Sequence, residues 1–246
     1  MTVGLFVPCY IDQFYPQAAI ATLELLEKLG VEVVYPEQQT CCGQPMANSG
    51  YENAGWDVAR RFVRNFRDFD YIVTPSGSCS LHVKENYNIL GINDDVDKVR
   101  NNTYELCEFL TDILQINALD ARFPHKVGVH QSCHGLRGLR LAKSSELMQD
   151  DFSKLRYLLG LVKDIELVEL DRTDECCGFG GTFAVSEVAV SVKMGKDRIA
   201  DHIRHRAEYI TAADMSCLMH MEGLLRRDNQ PAKVIHIAEI LNGTKS

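Results

Sequence analysis

No stretch of this 246-residue sequence is apolar for long enough to cross a bilayer, which takes roughly 18 or more consecutive such residues. A membrane span is therefore not expected. The opening Met1-Thr2-Val3-Gly4-Leu5-Phe6-Val7-Pro8 has no basic segment, and its apolar run is too short for a secretory signal, so the chain is expected to be cytoplasmic. Basic charge is scarce as well. Lys and Arg number 26 against 34 Asp and Glu, a net charge of −8, and the basic residues are scattered among acids. Nucleic acid, whose phosphates call for clustered Lys and Arg, is not an expected partner, and the helix face carrying Arg60, Arg61 and Arg64 reads as solvated. Phosphate loops are missing too: neither G-x-G-x-x-G nor G-x-x-x-x-G-K-[ST] occurs, despite the glycines of Gly178-Phe179-Gly180-Gly181. Nor does any Pro-, Gly- or Ser-rich linker divide the chain.

Cysteine is plentiful, with nine residues, eight of which fall into one order that occurs twice. Cys9 is followed by Cys41-Cys42-Gly43 and then Cys79-Ser80-Leu81-His82; Cys133 is followed by Cys176-Cys177-Gly178 and then Cys217-Leu218-Met219-His220. The copies are offset by 124 residues at the first cysteine, 135 at the pair and 138 at the last, so the second copy carries insertions, chiefly before its pair. Two pseudo-symmetric repeats are expected, residues 1–122 and 123–246. A chain of this length buries a core without staples, and an odd number of cysteines in a cytosolic setting suits metal or redox groups better than disulfides.

The patterning predicts α/β repeats of βαβ type with mostly parallel sheets. In the first half, strands are expected at Val3–Val7, Val31–Tyr35 and Tyr71–Thr74, and helices at Pro16–Leu29 and around Ala59, Phe62 and Phe66. Val99, Thr103, Leu106, Leu110 and Leu114 fall at helical spacing and predict a long helix between the halves. Cys107 lies close to its buried face and reads as a core thiol. In the second half, strands are expected at Lys126–His130, Ile165–Leu170, Tyr209–Ala212 and Val234–Ile237, with a helical region over Ser144–Leu161. A further helix, capped by Ser186, would share a face of Val188, Val192, Gly195 and Ile199. Every cysteine of the pattern then stands in a connection after a strand, where parallel α/β sheets collect their ligands.

Thiolates are soft ligands, and such sets suit zinc or iron–sulfur centres. Each half offers four cysteines and a histidine, one group more than a closed zinc site uses, and adjacent extended residues point apart, which favours a cluster over a single ion. Gly43 and Gly178 can take positive φ and bring backbone close to it. A thiol–disulfide function is a further reading, but it explains the duplication less well. His82 and His220, three residues after Cys79 and Cys217, share a helix face with them and are candidates for ligation or for hydrogen bonding to the ligands. His130 and His134 flank Cys133 with no counterpart around Cys9, and read as hydrogen-bonding or solvent groups rather than ligands.

The duplicated motif, with Cys41-Cys42-Gly43-Gln44-Pro45, Pro75-Ser76-Gly77-Ser78-Cys79, Cys176-Cys177-Gly178-Phe179-Gly180-Gly181-Thr182-Phe183 and Met215-Ser216-Cys217-Leu218-Met219-His220, resembles the cysteine-rich CCG-domain family. That family includes the CCG-bearing subunit of heterodisulfide reductase and the iron–sulfur subunit of glycolate oxidase, and the resemblance is greatest to its lactate-utilization branch. It implies an oxidoreductase subunit of a complex that oxidises L-lactate to pyruvate, with 4Fe-4S clusters, one or two per chain and noncubane in the heterodisulfide reductase relative. Cys9, Cys41, Cys42, Cys79, Cys133, Cys176, Cys177 and Cys217 would bind them. That relative ends each motif in Cys-x-x-Cys, so His82 and His220 fall where its fifth cysteine stands. No C-x-x-C-x-x-C run occurs here. The implied partners are accordingly a ferredoxin-like iron–sulfur protein of the lactate utilization protein B type and a third lactate utilization subunit, with a small-molecule substrate. A thiol or disulfide reductase of the heterodisulfide type and a non-catalytic zinc module are the alternatives.

Overall fold

The computed structural model describes residues 1–91 and 93–243. Its first half lays down β1 (Thr2–Leu5), β2 (Glu32–Val34), β3 (Tyr71–Thr74) and β4 (Thr103–Glu105), and its second half β5 (Lys126–Val129), β6 (Glu166–Leu167), β7 (Tyr209–Ala212) and β8 (Lys233–His236). They form two four-stranded sheets with orders β2-β1-β3-β4 and β6-β5-β7-β8, every pairing parallel. The second half thus repeats the topology of the first. Val3, Leu5, Ile72 and Val73 on the central strands of the first sheet, and Val127, Val129 and Ile210 in the second, are all buried, as strands covered on both faces must be.

The α-helices are α1 (Cys9–Phe14), α2 (Pro16–Lys28), α3 (Gln44–Asn48), α4 (Trp56–Phe66), α5 (Gly77–Asn86), α6 (Asp94–Asn101), α7 (Leu106–Glu108), α8 (Lys154–Leu159), α9 (Phe183–Ser186), α10 (Val188–Arg204) and α11 (Met215–Arg227), with α12 (Ile237–Asn242) following the last strand. Pro16 occupies the first turn of α2, where its missing N–H costs nothing.

Three expectations fail, each for a local physical reason. The long helix over Val99–Leu114 does not form: α6 stops at Asn101, Thr103 pairs with Ile72 as part of β4, and the chain re-enters helix at Leu106. Its helical spacing is a coincidence of separate elements: Val99 packs in one apolar cluster, while Leu106 and Leu110 pack in another. Ser144–Leu161 is helical only from Lys154, since Ala142 pairs with Ser153 in an antiparallel bridge and Ser153 then caps α8. Ser186 ends α9 instead of capping α10, whose buried face is Ser191, Gly195, Arg198, Ile199, Asp201 and His202, with Val188 exposed.

The halves exchange their last helices. α12 packs on α2, and α7 on α8. Lys28 Nζ donates to the Asn242 backbone oxygen at 2.8 Å and to its Oδ1 at 2.6 Å, while Asn242 Nδ2 donates to Glu24 Oε2 at 2.6 Å. One buried apolar cluster runs through both, joining Val3, Leu25 and Val73 to Val127, Leu155 and Ile240.

Glu105, at the end of β4, is wholly buried, and its Oε2 accepts the Cys107 and Glu108 N–H groups while Oε1 has no partner. Burial pushes its carboxyl up to about 8 from an ordinary 4.5. The folded chain therefore keeps a proton that the unfolded chain has lost, and stability falls as pH rises across that interval. Glu105→Gln is expected to flatten the slope and to raise stability at pH 9 by more than about 1 kcal/mol. Urea melts of both proteins at pH 5, 7 and 9 check this; equal slopes would contradict it.

Candidate metal centre

The sulfurs are delivered by the turns at the carboxyl ends of the strands. After β1, Pro8 in extended conformation starts α1 with Cys9 as its first residue. After β2, the loop brings in Cys41 and Cys42, and Gly43 turns the chain at φ +93° so that its N–H reaches back to Cys41 Sγ at 3.4 Å. After β3, Ser76 Oγ accepts the Cys79 N–H and fixes that thiol in the first turn of α5. Cys9 Sγ then stands 3.8 Å from Cys41 Sγ, and Cys42 Sγ 3.4 Å from Cys79 Sγ.

The second half repeats this. Gly178 at φ +84° donates its N–H to Cys176 Sγ at 3.4 Å, and Cys217 lies in the first turn of α11. Cys133 Sγ is 3.8 Å from His134 Nδ1. Ligand atoms of His130, Cys177 and Cys217 lie within 4.8 Å of one another.

All eight cysteines line one cavity of about 380 Å³ between the halves. The halves meet across it. Ser76 and Asp214, equivalent in the two repeats, form an antiparallel bridge, and the buried Asp214 carboxylate accepts the Ser78 N–H at 2.9 Å, the Ser78 hydroxyl at 2.8 Å and the Ser76 hydroxyl at 3.2 Å. Each repeat thus helps to hold the other's cysteine-bearing turn.

The cysteine-rich CCG domain matches residues 3–84 and 127–222, taking in all eight of these cysteines. The chain belongs to the CCG family. CCG relatives include Lactate utilization protein A of Geobacillus thermodenitrificans (strain NG80-2), 42% identical over 247 residues that cover 98% of this chain and 99% of that protein. The protein of the same name from Bacillus pumilus (strain SAFR-032) is 40% identical, and that from Bacillus thuringiensis (strain Al Hakam) 37%, with the same coverage. Among solved structures, a hypothetical protein from Helicobacter pylori shares the fold with a TM-score of 0.55 and 12% identity over the whole of this chain. The CCG chain spans about half the length of that protein, 49%.

The CCG thiols fit a soft metal group. All nine cysteines are free, and sulfurs 3.4 to 3.8 Å apart are too distant for a disulfide. That spacing is close to the edge, roughly 3.8 Å, of a tetrahedron of sulfurs about an ion at 2.3 Å. The donors also share out their protons unevenly. Hydrogen bonding with the neighbouring Cys42 and Cys9 thiols and from the Gly43 N–H holds Cys41 far below the ordinary thiol range. Hydrogen bonding to Cys41 pushes Cys42 and Cys9 up in turn. Cys176 is depressed in the same way by Cys133, Cys177 and the Gly178 N–H.

His82 and His220 stand outside the cavity. His82 packs behind the first CCG turn, edge-on to Tyr87 at 5.9 Å, and lines a separate pocket with Gly43 and Glu85; burial lowers its imidazole to about 4. His220 Nε2 lies 3.4 Å from the Ser191 backbone oxygen, with its ring tilted over Phe179. His134 does line the cavity, and His130 is the histidine that approaches two cysteines. Cys107, fully buried between Glu105 and the apolar core, has no part in the cavity. The sequence reads His130 as a hydrogen-bonding or solvent group beside Cys133; its approach to Cys177 and Cys217 depends on how the chain leaving β5 directs the side chain, which spacing alone does not give. Asp214 went unread because its partners belong to the other repeat.

Proposed function

We propose that this chain is the iron–sulfur subunit of a cytoplasmic complex that oxidises L-lactate to pyruvate. The observation that carries the reading is the convergence of all eight CCG cysteines on one cavity, in a chain about 40% identical over nearly its full length to Lactate utilization protein A. Cys9, Cys41, Cys42 and Cys79 would hold one cluster of the 4Fe-4S kind, and Cys133, Cys176, Cys177 and Cys217 a second. Bound clusters supply one-electron chemistry. The protein places them with donors fixed by helix first turns and by two positive-φ glycines, and limits water with Tyr10 packed edge-on to Phe179 at 6.1 Å. His134, Ser216 and Thr182 at the cavity wall offer hydrogen bonds to a small hydroxy acid. With no ferredoxin cysteine run in this chain, electrons pass to a ferredoxin-like partner, and a third subunit completes the complex. No helix among the described residues is long and apolar enough to cross a membrane.

Deleting the gene in a strain without other lactate dehydrogenases is expected to abolish growth on L-lactate, and a plasmid copy to restore it. The protein purified without oxygen should carry iron and acid-labile sulfide. Unimpaired lactate oxidation in the deletion strain overturns the reading. Stoichiometric zinc with negligible iron would instead make the chain a structural zinc module.

A further inference from the structure

The two halves differ behind their CCG pairs, at positions that the repeat makes equivalent. In the first half, Phe6 meets Phe62 and Phe66 edge-on, with centroids 4.8 and 5.8 Å apart. Gly4 carries no side chain there because the Phe66 and Phe69 rings fill the space a Cβ would take. The interval of 124 residues that relates Cys9 to Cys133 also relates Gly4 to Gly128 and Phe6 to His130, while 136 residues relate Phe62 to Arg198 and Phe66 to His202. Gly128 again makes room, now for the His202 ring. A cluster of three phenyl rings has become imidazole, guanidinium and imidazole, all buried.

Such groups are stable in an interior only with partners. Arg198 finds several: its Nε donates to His202 Nε2 at 3.1 Å, and its Nη1 to the Arg172 backbone oxygen and to Asp201, while its Nη2 and the His202 Nδ1 have none. His130 finds none, and both of its ring nitrogens are buried without a hydrogen bond. What it does face is sulfur, with its ligand atom within 4.8 Å of both Cys177 and Cys217. His220, by contrast, has the Ser191 carbonyl beside it; neither ring lines the cavity, so it is the two nearby sulfurs that set His130 apart.

We propose that the second-half centre is a mixed thiolate–imidazole site in which His130 binds metal together with Cys177 and Cys217, while the first-half centre is held by thiolates alone. This rests on the reading that the cysteine sets hold metal. The second half keeps all four cysteines, so the imidazole is an added neutral donor where the first half has the Phe6 ring, and Arg198 behind it is paired with Asp201.

The test uses the full chain, reconstituted without oxygen with Fe²⁺ and sulfide and, separately, loaded with Co²⁺ alone. His130→Phe, which installs the residue found in the first half, is expected to lose about half of the iron, the share of one site. His130→Cys is expected to keep the iron, while X-ray absorption of its Co²⁺ form loses the nitrogen neighbour seen in the wild type. His220→Phe should match the wild type in both readouts. Full iron in His130→Phe, or an unchanged nitrogen signal in His130→Cys, overturns the inference alone; should His130→Phe fail to fold, His130→Cys decides. A wild-type chain that takes up neither iron nor Co²⁺ overturns the inference together with the functional reading beneath it.

Discussion

Cys42→Ser is expected to empty the first-half site, lowering iron per chain to about half of wild type, whereas Cys107→Ser leaves iron at the wild-type level. Both thiols are buried, so burial alone does not separate them. What separates them is company. Cys42 Sγ has Cys79 Sγ at 3.4 Å and opens on the shared cavity, while Cys107 is packed among Leu106, Phe109 and Leu110 in the core. A serine hydroxyl is a harder and weaker donor for iron than thiolate, and one missing ligand among four leaves an iron open to solvent. At position 107 the same change introduces a hydroxyl into apolar surroundings, at a cost of about 1–3 kcal/mol in stability. Iron and sulfide analysis of the folded fraction, beside thermal melts, separates the outcomes. A colourless Cys107→Ser beside a fully loaded Cys42→Ser would move the site elsewhere.

Gly178→Ala is expected to be far more damaging than Gly43→Ala, although both glycines follow a cysteine pair and both have positive φ. Any L residue in that conformation costs about 1–2 kcal/mol. At Gly43 that is nearly the whole cost, since a new Cβ would meet His82 Nε2 at an ordinary 3.7 Å. At Gly178 it would lie 2.7 Å from both Met194 Cβ and the Ser191 backbone oxygen. Neither can swing away, so α10 must move or the Cys176–Cys177 turn must open. Overpacking adds about 1–3 kcal/mol, giving a total of roughly 2–5 kcal/mol, with loss of the second site's iron. Melting temperature and iron content of the two variants check this, and equal effects would show that the turn, not its neighbours, sets the cost.

The strands of the fold were largely legible in the sequence. Tyr71–Thr74 and Tyr209–Ala212 read as strands to the residue, because β-branched runs bounded by turn residues leave few other ways to bury them. The convergence of cysteines followed from that, since parallel strands deliver their connections to one end. Thr103–Glu105 was illegible because the edge strand is short and its neighbours supply a helical period by coincidence. The histidines were less legible: His82 and His220 keep a fixed offset from cysteine, but a shared helix face fixes only a direction about the helix axis, and neither ring lines the cavity. His130 has no partner in the first repeat by type, only by position, where Phe6 stands.

The exchange of final helices, together with the Asp214 carboxylate clasping the opposite turn, bears on how such a chain can arise. A half-length ancestor folded in this manner would leave α2 uncovered and its cysteine-bearing turn unclasped until a second copy supplied both. Such an ancestor would need a second copy to complete its fold, and two copies in one chain supply it. Within one chain the copies can also differ, and here one carries a phenyl cluster where the other carries histidine and arginine, a divergence closed to two identical subunits encoded by one gene.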